Sequence, residues 1–274
     1  MLRKSDALTK RVISSAVLIA VCAAALYSDL IFAATALGIT ALGLYEFYAM
    51  LEKKGINIFK YFGIGMGVMI PASILFQFEL TKGWELLFIV LAFLFLIIMQ
   101  FKRRENHGAI VGISTTIFGI LYIAWFFSFV IKIRLLPGGT GMLIALLVMT
   151  KAGDVGAYLV GAKFGKTPLI PRISPKKSVE GSLGGLAASI AGGLLSRFLM
   201  PGSFSMFHMA LLGLCVGLLA QLGDLSESLM KRDCGIKDSA DVIPGFGGIL
   251  DLIDSVLFTA PVFYFYITLK NFSF

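Results

Sequence analysis

The sequence predicts an all-α integral membrane protein: a polytopic bundle of about nine transmembrane helices, N-terminus inside and C-terminus outside. Three observations predict it. Hydrophobic residues make up 58% of the chain and charged residues 15%, with a mean hydropathy of +0.90, a composition outside that of ordinary soluble domains. Apolar runs approach or reach the roughly 20 residues a helix needs to cross about 30 Å of hydrocarbon, "LLFIVLAFLFLIIMQF" (86–101) being the plainest. The basic residues are also lopsided. With the N-terminus inside, all 24 of them lie on the cytoplasmic side except Lys82, Lys132, Arg134, Arg197 and Lys270, with Lys151 inside a span, as the positive-inside rule requires.

The first span, 12–28, follows a basic N-terminus as a secretion signal would, but it runs straight into a second span and reads as a retained helix. Spans at 30–50, 61–80, 86–101 and 112–131 follow, plain in character and joined by short loops. In the spans at 140–162, 181–200, 206–230 and 251–269 polar residues appear, and both long cytoplasmic loops belong to this part. The chain therefore divides into scaffold helices (1–139) and a catalytic region (140–274) within one structural unit. No repeat or linker separates them. The net charge of +8 is mostly a topology signal, with a lesser role in attracting anionic head groups, and no nucleic-acid partner is expected. Cys22, Cys215 and Cys234 have no ligand or disulfide spacing, and His107 and His208 stand alone, which argues against histidine catalysis.

The chemistry gathers toward the C-terminus. In "LLGLCVGLLAQLGDLSESLMKRD", Asp224, Glu227, Ser228 and Lys231 share one face of a helix that begins as a plain span. Ionisable groups at that depth need a partner or an ion. The next helix opens "GGILDLIDS", with Asp251 and Asp254 at i, i+3. One such aspartate would suit the helix macrodipole. Two, with Asp224 on the preceding helix, point to a divalent metal held by hard oxygen ligands, Mg²⁺ or Mn²⁺, sharing its coordination with substrate phosphates. Between them, Lys231, Arg232 and Lys237 are bases for phosphate, and Gly247 and Gly248 precede a helix start where backbone N–H groups could approach an anion. The loop "KFGKTPLIPRISPKKSVEGSLGG" is stiffened by Pro171 and Pro175, which holds Lys176 and Lys177. Lys151 and Asp154 are spaced to neutralise each other, either as a structural pair or as part of the site.

The run Ser228, Lys231, Arg232, Lys237, Asp238, Pro244, Gly247, Gly248, Asp251, Asp254 resembles the signature of the phosphatidate cytidylyltransferases (CDP-diacylglycerol synthases). "GDVGAYLVGAKFGK" and "ISPKKSVEG" resemble that family's upstream blocks, so the resemblance covers about 150–260. Phe246 stands where the family usually has His, and Leu252 where it usually has Arg. The resemblance implies conversion of CTP and phosphatidate to CDP-diacylglycerol and pyrophosphate, with Mg²⁺ on Asp224 and Asp251 and a monovalent ion such as K⁺ nearby. It also implies a homodimer, while the basic loops put the active site on the cytoplasmic side of what is expected to be a bacterial inner membrane.

Residue reading and resemblance together nominate Asp224, Lys237, Asp238, Asp251 and Asp254 as catalytic, and Ser174, Lys176, Lys177, Ser228, Lys231, Arg232, Gly247 and Gly248 as substrate-binding. An ion-coupled transporter using Asp224 and Lys151 is the reading from another class, and it would need charges near mid-membrane. A lipid-phosphate transferase consuming a CDP-lipid is disfavoured, because the Asp-Gly-x-x-Ala-Arg element of the CDP-alcohol phosphotransferases is absent.

Overall fold

The computed structural model describes residues 2–78, 84–103, 106–202, 204–237, 239–240, 242–244 and 247–271. In chain order these form α1 (Leu2–Tyr27), α2 (Asp29–Lys53), α3 (Lys60–Leu75), α4 (Trp84–Phe101), α5 (Ala109–Gly119), a π turn (Ile120–Trp125), α6 (Phe126–Leu135) and α7 (Gly139–Phe164). There follow β1 (Pro168–Ile170), β2 (Ser174–Ser178), α8 (Val179–Leu195) with a 3₁₀ turn (Ser196–Leu199), α9 (Met206–Asp233) and α10 (Ile249–Asn271). Among the described residues, six helical segments are long and apolar enough to cross a membrane, and Val12–Tyr27, Lys60–Leu75 and Glu85–Phe101 are apolar but shorter. The protein is a multi-pass membrane protein. The all-α class holds, with almost no sheet: among the described residues the one hairpin pairs "SPKKS" antiparallel with β1. Pro171 cannot donate to a ladder, and it lies in the turn between the two strands.

The chain folds as two compact units, Met1–Ile131 with Asp233–Leu252, and Lys132–Arg232 with Ile253–Phe274. In the first, Ser28 accepts from the Ile31 amide and caps α2. The fully buried Tyr48 of α2 donates to the Thr116 carbonyl at 2.7 Å, and the Thr116 hydroxyl receives the Phe59 amide at 3.1 Å. These bonds fix α2 against α5 while a core of Ile70, Phe88, Ala92 and Ile120 ties α3, α4 and the π turn together.

In the second unit small residues set the spacing. Ser189 of α8 is fully buried and donates to the Met149 carbonyl of α7 at 3.0 Å. A Cβ on Gly213 of α9 would lie 2.7 Å from the Ser189 carbonyl oxygen, so only glycine permits this approach. Close backbone packing of this sort replaces the hydrophobic drive that helices lack within lipid. The same device recurs where Gly223 of α9 meets Asp254 and Ser255 of α10, which brings the acidic turn of each helix into one place.

Candidate active site

Within the second unit, α7, the hairpin, α8 and α9 surround a cavity of about 470 Å³, a volume typical of small-molecule sites. Its wall carries Asp154, Ser174, Lys176, Lys177, Gln221 and Asp224. The cavity's position follows from local structure. Antiparallel pairing places Lys176 and Lys177 on β2, which runs directly into α8 with Ser178 as N-cap, its side chain accepting from the Gly181 amide at 3.1 Å. Glu180, in the first turn of α8, accepts from the Thr167 hydroxyl at 2.9 Å and from the Lys166 amide at 3.1 Å. The hairpin is thereby closed at its base. Beyond its turn, the Arg232 Nε donates to the Ile173 carbonyl at 3.3 Å.

Asp224 is half-buried, and its Oδ2 lies 2.5 Å from the Lys177 Nζ. The Ser228 hydroxyl is 3.5 Å from its Oδ1, a distance at the edge of a hydrogen bond. One turn earlier on the same face, the Gln221 amide donates to the Ser182 carbonyl at 3.0 Å. Asp254, 6% exposed, accepts from the Ser255 hydroxyl at 3.0 Å and has Asp224 and Lys151 as its electrostatic neighbours. Lys151 pairs with Asp154 at 3.0 Å, in the way their spacing allows. Two carboxylates, Asp224 and Asp254, thus stand on adjoining helix turns with Lys177 and Lys151 as cationic neighbours.

Of the other nominated residues, Lys231 is paired at 2.8 Å with Glu227, which is 1% exposed. Burial of that carboxylate requires such a partner. Lys237 is exposed, in the first unit. Asp238 lies outside the described residues, as does Phe246. Asp251, also in the first unit, accepts through Oδ2 from the Ser239 hydroxyl and the Gly248 amide, both at 2.8 Å. Of the glycine pair, the Gly248 amide donates to the Asp251 carboxylate, and the Gly247 amide donates to the Ile243 carbonyl at 3.1 Å. Gly247 is there for its φ of +102°, which closes that turn.

Among the described residues no group of three or more His, Cys, Asp or Glu side chains gathers to hold a metal, so the protein would supply carboxylates in ones and twos. Mg²⁺ accepts this, since it keeps waters and substrate phosphates in its shell.

Sequence reasoning misses Glu46, Glu180 and the Gln221–Ser182 pair. Glu46 carries a signal: it is an ionisable residue inside an apolar span, "LYEFYAM", and such residues are functional by default. It is 3% exposed. Near the membrane ends, Lys54 lies 2.5 Å from Asp233, and this hydrogen bond raises its ammonium above the ordinary value. Burial pushes the Cys234 thiol up.

A multi-pass membrane protein with a basic, carboxylate-bearing cavity is the class that fold and site define. Residues 9–270 match the Cytidylyltransferase family, and the chain belongs to that family. It is 34% identical to the phosphatidate cytidylyltransferase of Synechocystis sp., over 95% of this chain and 97% of that protein. Identity is 38% to the phosphatidate cytidylyltransferase of Mycobacterium leprae, over 61% of this chain and 56% of that one. With the phosphatidate cytidylyltransferase of Pseudomonas aeruginosa it is 40%, over 53% of each.

Proposed function

We propose that the protein transfers the cytidylyl group of CTP to phosphatidate, giving CDP-diacylglycerol and pyrophosphate for phospholipid synthesis. The observation that carries this is the cavity wall on which Lys176 and Lys177 meet Asp224, in a chain whose relatives bear the name phosphatidate cytidylyltransferase. An ionised oxygen of the lipid phosphate bonds to the α-phosphorus of CTP, the bridging bond to the β-phosphate breaks, and pyrophosphate leaves with the electron pair. The nucleophile is already ionised near neutral pH, so no general base is needed. Position and charge then do the work. Lys177 exchanges its contact with Asp224 for phosphate oxygens, while Lys176, exposed on the same strand, receives the polyphosphate. Mg²⁺, when bound, would neutralise charge on the phosphates. The resemblance assigns it to Asp224 and Asp251, with a monovalent ion such as K⁺ beside it.

The proposal includes nine spans with the N-terminus inside, the cavity on the cytoplasmic side of a bacterial inner membrane, and a homodimer. The basic loops support this orientation. Purified protein given labelled CTP, phosphatidate and Mg²⁺ is expected to form CDP-diacylglycerol, and to stop doing so when the metal is chelated. Asp251→Asn is expected to abolish turnover while the protein stays folded. No labelled lipid at any divalent-ion concentration would refute the reaction, and full turnover in Asp251→Asn would remove that residue's role.

A further inference from the structure

Glu46 lies inside a membrane-spanning helix, 3% exposed, yet the cavity does not include it. A carboxylate at that depth persists only with strong donors around it. The donors it meets come from a segment about 200 residues further on. Its Oε1 accepts from the Ile249 amide at 2.9 Å, and its Oε2 accepts from the Leu250 amide at 2.9 Å. These are first-turn amides of α10, which no bond within the helix can satisfy. The Gly248 amide, next in line, goes to Asp251 at 2.8 Å. Two carboxylates thus share the start of α10.

A single hydroxyl joins them. Ser239 Oγ is 3.1 Å from Glu46 Oε2 and 2.8 Å from Asp251 Oδ2, and the Ser239 amide reaches the same Asp251 oxygen at 3.2 Å. Gly248 leaves the room for this contact, since a Cβ there would collide with both the Ser239 hydroxyl and the Glu46 carboxylate.

We infer that Glu46 is a positioning residue for the reaction: it fixes the first turn of α10 and the Ser239 hydroxyl, and through them the rotamer of Asp251. It touches no substrate itself. This rests on the proposed reaction, in which Asp251 takes part, but the contact can be read without that reaction.

The experiment compares full-length wild type with Glu46→Gln, Glu46→Ala and Ser239→Ala. Glutamine keeps one acceptor oxygen and places an amide donor against the other donors, so it retains part of the hold. Backbone hydrogen exchange at 248–250 is expected to speed up at least tenfold in Glu46→Ala, and less in Glu46→Gln. Turnover is expected to fall about 100-fold in Glu46→Ala and tenfold in the other two, with KM for CTP and for phosphatidate within threefold of wild type. A role confined to stability would lower the melting temperature and leave kcat per folded molecule unchanged, and this outcome would overturn the inference. Equal exchange at 248–250 in wild type and Glu46→Gln would also overturn it. If Glu46→Ala does not fold, Glu46→Gln and Ser239→Ala decide by the same readouts. Failure of the proposed reaction would show as an inactive wild type, while exchange still reports whether Glu46 holds α10.

Discussion

Gly217→Ala tests whether helix spacing, rather than residue identity alone, sets the site. Gly217 lines the cavity on α9. A Cβ built there lies 2.8 Å from the Ser189 Cβ and 2.9 Å from its Oγ. Carbon–carbon contacts prefer about 3.5–4.0 Å, so the methyl is short of room by roughly 1 Å. Ser189 cannot turn away without giving up its bond to the Met149 carbonyl, so α9 must move off α8. Asp224 sits two turns further along the same face of α9, about 10 Å up the axis. Lys177, on the strand leading into α8, stays with α8. The shift therefore opens the gap between the two groups now 2.5 Å apart. A misplacement of about 1 Å costs on the order of 100-fold in kcat/KM, and the overpacking costs about 1–3 kcal/mol of stability. The assay is CDP-diacylglycerol formation with melting followed in the same detergent, and Leu218→Ala on the exposed side of α9 serves as a control expected to match wild type. Gly217→Ala turning over within twofold of wild type would refute the spacing argument.

Lys177→Ala is expected to lower kcat/KM by about 100- to 1000-fold, as loss of a charged phosphate contact does. Its ion pair is partly exposed, so stability should change by no more than about 1 kcal/mol; a large fall in melting temperature would recast Lys177 as a structural residue. Glu180→Ala should loosen the hairpin base, seen as faster trypsin cleavage at Lys166, Arg172 and Lys176 and a KM for CTP raised roughly tenfold. The Cys234 thiol, raised by burial, should be mostly protonated at pH 8, with its alkylation rate still climbing above the ordinary thiol pKa of about 8.5. A plateau below that pH would contradict the burial.

Hydropathy locates the apolar helices well, because a span needs a long apolar run and little else: the sequence predicts a span at 206–230 and α9 covers Met206–Asp233. Interruptions escape it. The π turn at Ile120–Trp125 is as apolar as the helices around it, and "SPKKS" is too short and polar to announce a strand. In the site, spacing along one helix is legible: Lys151 with Asp154, and the acidic face of α9. Pairings between distant segments are not, for lack of a local pattern. The partner of Asp224 is Lys177, 47 positions earlier, and the glycine pair, an anion cradle by its sequence, has its amides claimed by Asp251 and Ile243.

The contact between Glu46 and the start of α10 also bears on how the chain is made. The acid of α2, Glu46, is synthesised about 200 residues ahead of the first-turn amides of α10 that donate to it. The first turn of α10 thus supplies the donors that the acid of α2 lacks until then, and closing so long a loop adds little entropic cost per extra residue. Chains cut short before residue 249 would lack both amide donors to the Glu46 carboxyl group.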